Sequence, residues 1–482
     1  MLLKCGMAIA QASLPRRLLK ATTLAVCLAA ALAIGLTTSQ PNNSVAQTAD
    51  KPNIVVVMTD DQDNDSLKFM PEVQRRVMAQ GITFKNTFSS QPLCCPNRTT
   101  FLTGRYVHNH GINANNGDQL RTRNLDSSTV ATWLNGAGYR TSYFGKYVNG
   151  YNETAYIPPG WDRWYAFTSN YGANPLTISD NGKPDALNKG QEHEADRLSA
   201  KAVDFLQANR DSAAPLFMVV APNTPHLPTN VPDRYAGAYS GLALPRPPNF
   251  NEADVSDKAP PARKPRLSDA EISEMAANYR RQAAALRAVD DMVASLMDEL
   301  SAQGELDNTY ILYTSDNGYY WGEHRYDRKT FPYEAGAHQP LVIRGPRVET
   351  GTTIPHLVGM HDLAPTIAAL ASASPTRVVD GKRLLPLFST TRPTPAAWRQ
   401  RLLVQNWNPK ARYYAVRNQQ ALYVEYTQDG RTYLEHYYLS QDPYQLRNDV
   451  ASLSASTKNR LHDQLVNLRN CQGSECRTAE GS

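Results

Sequence analysis

The stretch NIVVVMTDDQD (53–63) decides the fold. Five consecutive apolar residues, Ile54 to Met58, leave no alternate position for a polar side chain, so the run reads as a strand buried on both faces. It passes directly into Asp60 and Asp61. The same kind of short apolar run recurs in GYRTSYFG (138–145), PLFMVVA (215–221), TYILYT (309–314) and PLVIRG (340–345), with helical stretches between. Strands alternating with helices predict an α/β fold: a large, mostly parallel (mixed) sheet flanked by helices.

The clearest helix is LSDAEISEMAANYRRQAAALRAVDDMVASLMDELSAQG (267–304), where Ser268 caps, Glu271 completes a capping box and Gly304 ends the element. Residues 227–266, rich in proline and polar side chains, read as a long surface excursion. Past residue 390 the pattern changes. RYYAVRNQQALYVEYTQDGRTYLEHYYLS (412–440) alternates apolar and polar residues around an Asp429-Gly430 turn, which predicts a hairpin. The amphipathic TKNRLHDQLVNL (457–468) follows. The expected organisation is an α/β domain over 50–390 and a small antiparallel C-terminal subdomain over 400–482.

Residues 1–46 stand apart, with Lys4, Arg16, Arg17 and Lys20, no acidic residue, and the apolar run ATTLAVCLAAALAIGL (21–36). That run is shorter than the roughly 20 residues of a membrane span. Ser44 and Ala46 set small side chains at a cleavage site, so the segment reads as a signal peptide of an exported, periplasmic or secreted protein without a stable membrane anchor. Its loss takes four of the 50 basic residues, leaving 46 against 45 acidic ones. No basic block remains to suggest a nucleic-acid partner. Cys5 and Cys27 leave too. Of the remaining four cysteines, Cys471 and Cys476 in CQGSEC read as a local disulfide, which leaves the adjacent pair Cys94-Cys95 to be explained otherwise.

Polar residues follow each predicted strand: Asp60-Asp61, Lys146, His226, and Asp316-Asn317. The carboxyl ends of parallel strands share one edge, where ligands bind. Three carboxylates and an amide gathered there suit a hard divalent cation, calcium before magnesium. A helix opening at Asn97 or Arg98 would point its amino end at the same edge, and Arg98, Lys146 and Lys329 add positive charge. A metal with three cations implies an anionic group such as a sulfate or phosphate ester.

Cys94-Cys95-Pro96-Asn97-Arg98 with the downstream TGRY (103–106) resembles the Cys-x-Pro-x-Arg signature of the type I sulfatases, of alkaline-phosphatase-like fold. GYRTSYFGKY (138–147), TDDQ (59–62), TSDNG (314–318) and the spacing of Lys329, Tyr333, Glu334 and Pro340 follow the same family order. CCPNR, GKYVNGY and CQGSEC are most similar to the N-acetylglucosamine-6-sulfatase branch. The resemblance implies that Cys94 is oxidised by a maturation enzyme to formylglycine, whose hydrate attacks sulfur and then releases sulfate by returning to the aldehyde. It further implies that Asp60, Asp61, Asp316 and Asn317, with the modified Cys94, bind one Ca2+. Arg98 would hold the diol, Lys146 and Lys329 the sulfate oxygens, and His226 would protonate the leaving alcohol or help bind sulfate. Val148 stands where many relatives carry a histidine, which leaves the base for sulfate elimination open. His108 and His110 read equally as packing residues. The implied substrate is a sulfate ester, of a sugar or an aryl alcohol. Two other readings stand beside it: a formylglycine-dependent phosphodiesterase or phosphonate monoester hydrolase, and a non-catalytic carbohydrate-binding protein.

Overall fold

A computed structural model describes residues 51–481 apart from 170, 171, 189, 191 and 410; the expected signal peptide lies outside the described residues. β1 (Asn53–Thr59) is buried at every position. Its side chains alternate between two core layers. Ile54, Val56 and Met58 join Phe101, Trp133, Trp164 and Leu363 on one face, whereas Val55 and Val57 join Met70, Leu198, Leu286 and Val293 on the other. This is why the run is apolar throughout: each such side chain removed from water contributes about 1.5–3 kcal/mol.

Around β1 lie β2 (Gly81–Phe88), β3 (Arg140–Gly145), β4 (Arg163–Phe167), β5 (Leu176–Asp180), β6 (Lys183–Leu187), β7 (Leu216–Ala221) and β8 (Thr309–Ser315). A two-residue ladder, β9 (Tyr320–Trp321) with β10 (Asp327–Arg328), stands apart from the main sheet, which β11 (Leu341–Arg344) and β12 (Thr352–Gly359) complete. The ten-stranded order is β12-β2-β11-β8-β1-β7-β3-β4-β5-β6. The block β8-β1-β7-β3-β4 is parallel throughout, as expected. PLVIRG forms β11 but runs antiparallel to both its neighbours, so the sheet is mixed at that point and again at β5.

The long helix spans Asp269–Ala302, with Ser268 and Glu271 exchanging capping hydrogen bonds and Gly304 at φ +77° just past its end. The excursion 227–266 departs from expectation. Leu244, Val255, Lys258, Ala259 and Ala262 are buried: Leu244 packs with Phe69, Tyr279 and Trp321, whereas Ala259 and Ala262 share a core with the C-terminal sheet. The Lys258 ammonium donates to the Gln445 carbonyl at 2.9 Å, and the Ala259 amide donates to Glu435 at 2.6 Å.

The C-terminal hairpin is part of a four-stranded antiparallel sheet of β13 (Arg401–Asn406), β14 (Arg412–Asn418), β15 (Ala421–Gln428) and β16 (Arg431–Tyr438). Asp429 and Gly430 both take positive φ in the β15–β16 turn. The Ala455–Asn470 helix packs Leu461, Leu465 and Leu468 against one face of this sheet, and Cys471 and Cys476 form the disulfide beyond it. The other face shares a core with Tyr320, Phe331 and Tyr333, just past the chemistry-bearing loop.

Candidate active site

The parallel pairing of β1 with β8 sets Thr59 opposite Ser315, so the next residues of each strand, Asp60-Asp61 and Asp316-Asn317, fall side by side. The Asp61 amide donates to Asp316 Oδ1 at 3.1 Å, and Asn317 Nδ2 donates to Asp61 Oδ1 at 2.7 Å. All four side chains are buried.

The helix carrying the cysteines spans Cys94–Thr103, three residues earlier than expected for an Asn97 start. Cys94 therefore sits in the first turn, at the positive end. Its thiol donates to Asp60 Oδ1 at 3.4 Å, and Lys329 Nζ donates to its sulfur at 2.8 Å. Burial, then Asp316 and Asp60, push this thiol well above its usual range. Cys95, the next residue round the helix, packs in the apolar layer beneath, and burial lifts its thiol to about 12. The two adjacent cysteines thus have different surroundings, and Cys94 alone of the pair sits among charges.

Three cations and a histidine surround the carboxylates. Lys146 bonds Asp60, and Lys329 bonds Asp61. Arg98 donates to Asp316 Oδ2 at 2.8 Å and to the Lys146 carbonyl at 2.7 Å. His226 Nε2 lies 3.5 Å from Asp61 Oδ2. Burial opposes ionisation of Asp60, yet Lys146, His226 and Arg98 outweigh it and hold the carboxyl below its ordinary value; Lys329 and His226 do the same for Asp61. Burial also works against both lysines, and the same carboxylates keep them charged. Gly145 fixes where Lys146 emerges: its φ is +109°, and a Cβ there would lie 2.1 Å from the Ala221 carbonyl oxygen.

Every expected site residue, Cys94, Arg98, Lys146, His226, Lys329, Asp60, Asp61, Asp316 and Asn317, meets at this one edge. Two others do not. His108 bonds the Cys471 carbonyl at 3.0 Å and His110 bonds Thr100 at 3.1 Å, so both serve packing. Sequence reasoning missed Gln339, whose side chain accepts from Asn97 Nδ2 at 3.1 Å and donates to the Ser315 carbonyl at 2.9 Å, tying the cysteine helix to the end of β8. It directly precedes Pro340, the last residue of a recognised motif, and that adjacency was its only signal.

A divalent cation fits here. Asp60, Asp61, Cys94 and His226 each bring a ligand atom within 4.8 Å of the others. Asn317 Oδ1 is buried and, among the described residues, has no hydrogen-bond partner, although the nitrogen of the same amide bonds the Asp61 carboxylate. The carboxylate oxygens of Asp60 and Asp61 and the free amide oxygen of Asn317 are of the kind a hard divalent cation takes.

A family model described as sulfatase matches residues 52–373, more than half of the chain. The chain belongs to the sulfatase family. It is accordingly a sulfuric ester hydrolase of alkaline-phosphatase-like fold. A second model, the C-terminal region of N-sulphoglucosamine sulphohydrolase, matches residues 322–471. Among curated relatives, the human N-acetylglucosamine-6-sulfatase is 29% identical over 487 residues, covering 90% of this chain and 87% of its own. The Drosophila melanogaster extracellular sulfatase SULF-1 homolog is 32% identical over 380 residues; the match takes in 77% of this chain but spans only 33% of that protein. A structure solved with its substrate D-glucosamine-2-N,6-O-disulfate superimposes with a TM-score of 0.72 at 23% identity, covering 89% of this chain and 98% of that one. A phosphonate monoester hydrolase from Silicibacter pomeroyi shares the fold at 0.69 and 21% identity, over 87% and 96% of the two chains. Among the described residues no helix is long and apolar enough to cross a membrane.

Proposed function

We propose that this sulfatase removes sulfate from a sulfated sugar, with Cys94 oxidised to formylglycine as nucleophile and one calcium ion held by Asp60, Asp61, Asp316, Asn317 and the modified residue 94. The observation that carries the reading is residue 94 itself, in the first turn of a helix, with its sulfur 2.8 Å from the Lys329 ammonium and 3.4 Å from Asp60. When present, calcium and the hydrated aldehyde supply a positive centre against the ester's charge and an oxygen nucleophile at neutral pH.

The chain's own residues do the rest. Arg98 is anchored by Asp316 and the Lys146 carbonyl, while its buried Nη2 has no partner among the described residues and is left for the side chain at position 94 or the oxygen it carries. Lys146 and Lys329 are held by different carboxylates, Asp60 and Asp61, and together offer a bound sulfate two charged donors. His226 is the most solvent-exposed of these groups, at 26% of its side chain, and there gives its proton to the departing alcohol oxygen. The sugar substrate rests on relatives named for N-acetylglucosamine 6-sulfate that align over nine-tenths of the chain. Export rests on the composition of residues 1–46 and on relatives named as extracellular.

Peptide mass measurement of residues 89–106, from a host that matures sulfatases, tests the nucleophile. A loss of about 18 Da on Cys94 and none on Cys95 is expected, since replacing the thiol and a hydrogen by a carbonyl oxygen fixes that difference. Two unmodified thiols would end the formylglycine reading. Faster turnover of an aryl phosphonate ester than of any sulfate ester would move the chemistry to the phosphonate hydrolases.

A further inference from the structure

We infer that a cavity of about 550 Å³ beside the catalytic centre is a subsite for an uncharged, unsulfated sugar ring, so that this enzyme selects a singly sulfated saccharide and rejects a neighbour that bears a second sulfate. The inference rests on the sulfated-sugar reading above. The volume falls within the roughly 300–1,000 Å³ usual for small-ligand sites. Asp63 and Tyr319 on its wall stand two residues beyond Asp61 and Asn317, and Tyr319 lies within electrostatic reach of Asp61 and Lys329, so the cavity abuts the loops that carry the site.

Its lining has the mixture a sugar requires. Tyr319 and Trp321 are buried with ring centroids 4.6 Å apart and form an apolar wall. Tyr444, contributed by the C-terminal part, is 42% exposed and offers a ring to the apolar face of a pyranose. Two polar atoms of the wall, Asn249 Oδ1 and Gln445 Nε2, have no hydrogen-bond partner among the described residues, on side chains that are 7% and 1% exposed. Buried polar groups are ordinarily paired, so this acceptor and this donor suit ligand hydroxyls.

Charge sets the selectivity. Asp63, Asp65, Glu323 and Glu334 line the cavity, against Arg246 and two histidines. Glu334 is engaged by Arg417 at 2.6 Å. Burial first, with Asp63 and Asp65 as the charges that add to it, raises the Glu323 carboxyl to about 7. Even with Glu323 only partly ionised at neutral pH, the carboxylates that remain charged on this wall repel a sulfate brought against it, while a ring bearing hydroxyls or an acetamido group meets no such penalty.

The test compares two disaccharides with the same 6-O-sulfated N-acetylglucosamine, one with an unsulfated second ring and one with a sulfated second ring. The modified, calcium-loaded enzyme is expected to favour the first by roughly tenfold or more in kcat/KM at low ionic strength. The gap should shrink as salt screens the wall. It should shrink likewise in Asp65→Asn and Glu323→Gln, and Tyr444→Ala should raise KM more than it lowers kcat. Equal turnover of the two disaccharides, or a preference that neither salt nor substitution alters, overturns the subsite alone. Turnover of an aryl sulfate with neither disaccharide hydrolysed overturns the sugar reading and the subsite together.

Discussion

Asn317 brings an uncharged amide oxygen to the proposed metal site. Its amide nitrogen is fixed to Asp61, so its oxygen is held in place with no partner among the described residues. Calcium added to chelator-treated protein is expected to raise the melting temperature by a few degrees, because a ligand that binds only the folded state stabilises it, by about 2.7 kcal/mol at a hundredfold excess over Kd. Asn317→Ala should lose most of that rise, and equal shifts in variant and wild type would remove the residue from the metal site. Asp60, Asp61, Asp316 and Asn317 were legible in the sequence because each follows a run that only a buried strand explains. Gln339 was not. Its value lies in reaching Asn97, 242 residues away, and no local pattern encodes that meeting.

Gly145 shows what an element's end contributes. It closes β3 in a backbone region that L side chains avoid, against the carbonyl of Ala221 on β7. Gly145→Ala should cost roughly 1–3 kcal/mol in denaturant unfolding and lower turnover further than instability accounts for, because Lys146 must shift with the strand. Wild-type kcat in a stably folded Gly145→Ala protein would show that the lysine tolerates displacement. Elements with local signals were readable, such as the helix from Asp269, whose Ser268 and Glu271 cap forms as expected. β5 and β6 escaped notice because they lie at the sheet edge, are partly exposed, and include Pro184, which breaks the apolar pattern. β12 was hidden by Pro355 at an irregularity between Ile354 and Leu357.

Across the molecule, the catalytic sheet and the C-terminal part are pinned together by a buried ionic cluster. Arg399 bonds Asp362 and also Glu480, the latter at 2.9 Å, and Glu480 in turn accepts from Tyr106 at 2.6 Å. Burial disfavours the Asp362 carboxylate, but Arg399 outweighs it and brings the carboxyl to about 2 from an ordinary 3.8. Between those values the unfolded chain binds the proton and the folded chain does not. This carboxylate's stabilisation is therefore complete above about pH 4 and is lost as pH falls toward 2. Asp362→Asn should cost about 3–5 kcal/mol at neutral pH by leaving part of a buried charge unpaired. It should also flatten the loss of stability between pH 4 and 2, as read from urea melts. A variant as acid-sensitive as the wild type would assign that loss to other carboxylates. No sequence pattern announced this cluster, since Asp362, Arg399 and Glu480 fall in stretches that carried no motif.

The contact between Cys94 and Lys329 spans 235 residues of chain. The pocket around Cys94 therefore cannot close until a ribosome has travelled that distance past it, which at 5–20 residues per second is on the order of 10–50 s. Until then CCPNR lacks the side of its pocket that Lys329 supplies, whereas in the finished fold all five of its residues are buried. Any enzyme that oxidises Cys94 thus works against a clock set by the order of strands along the chain.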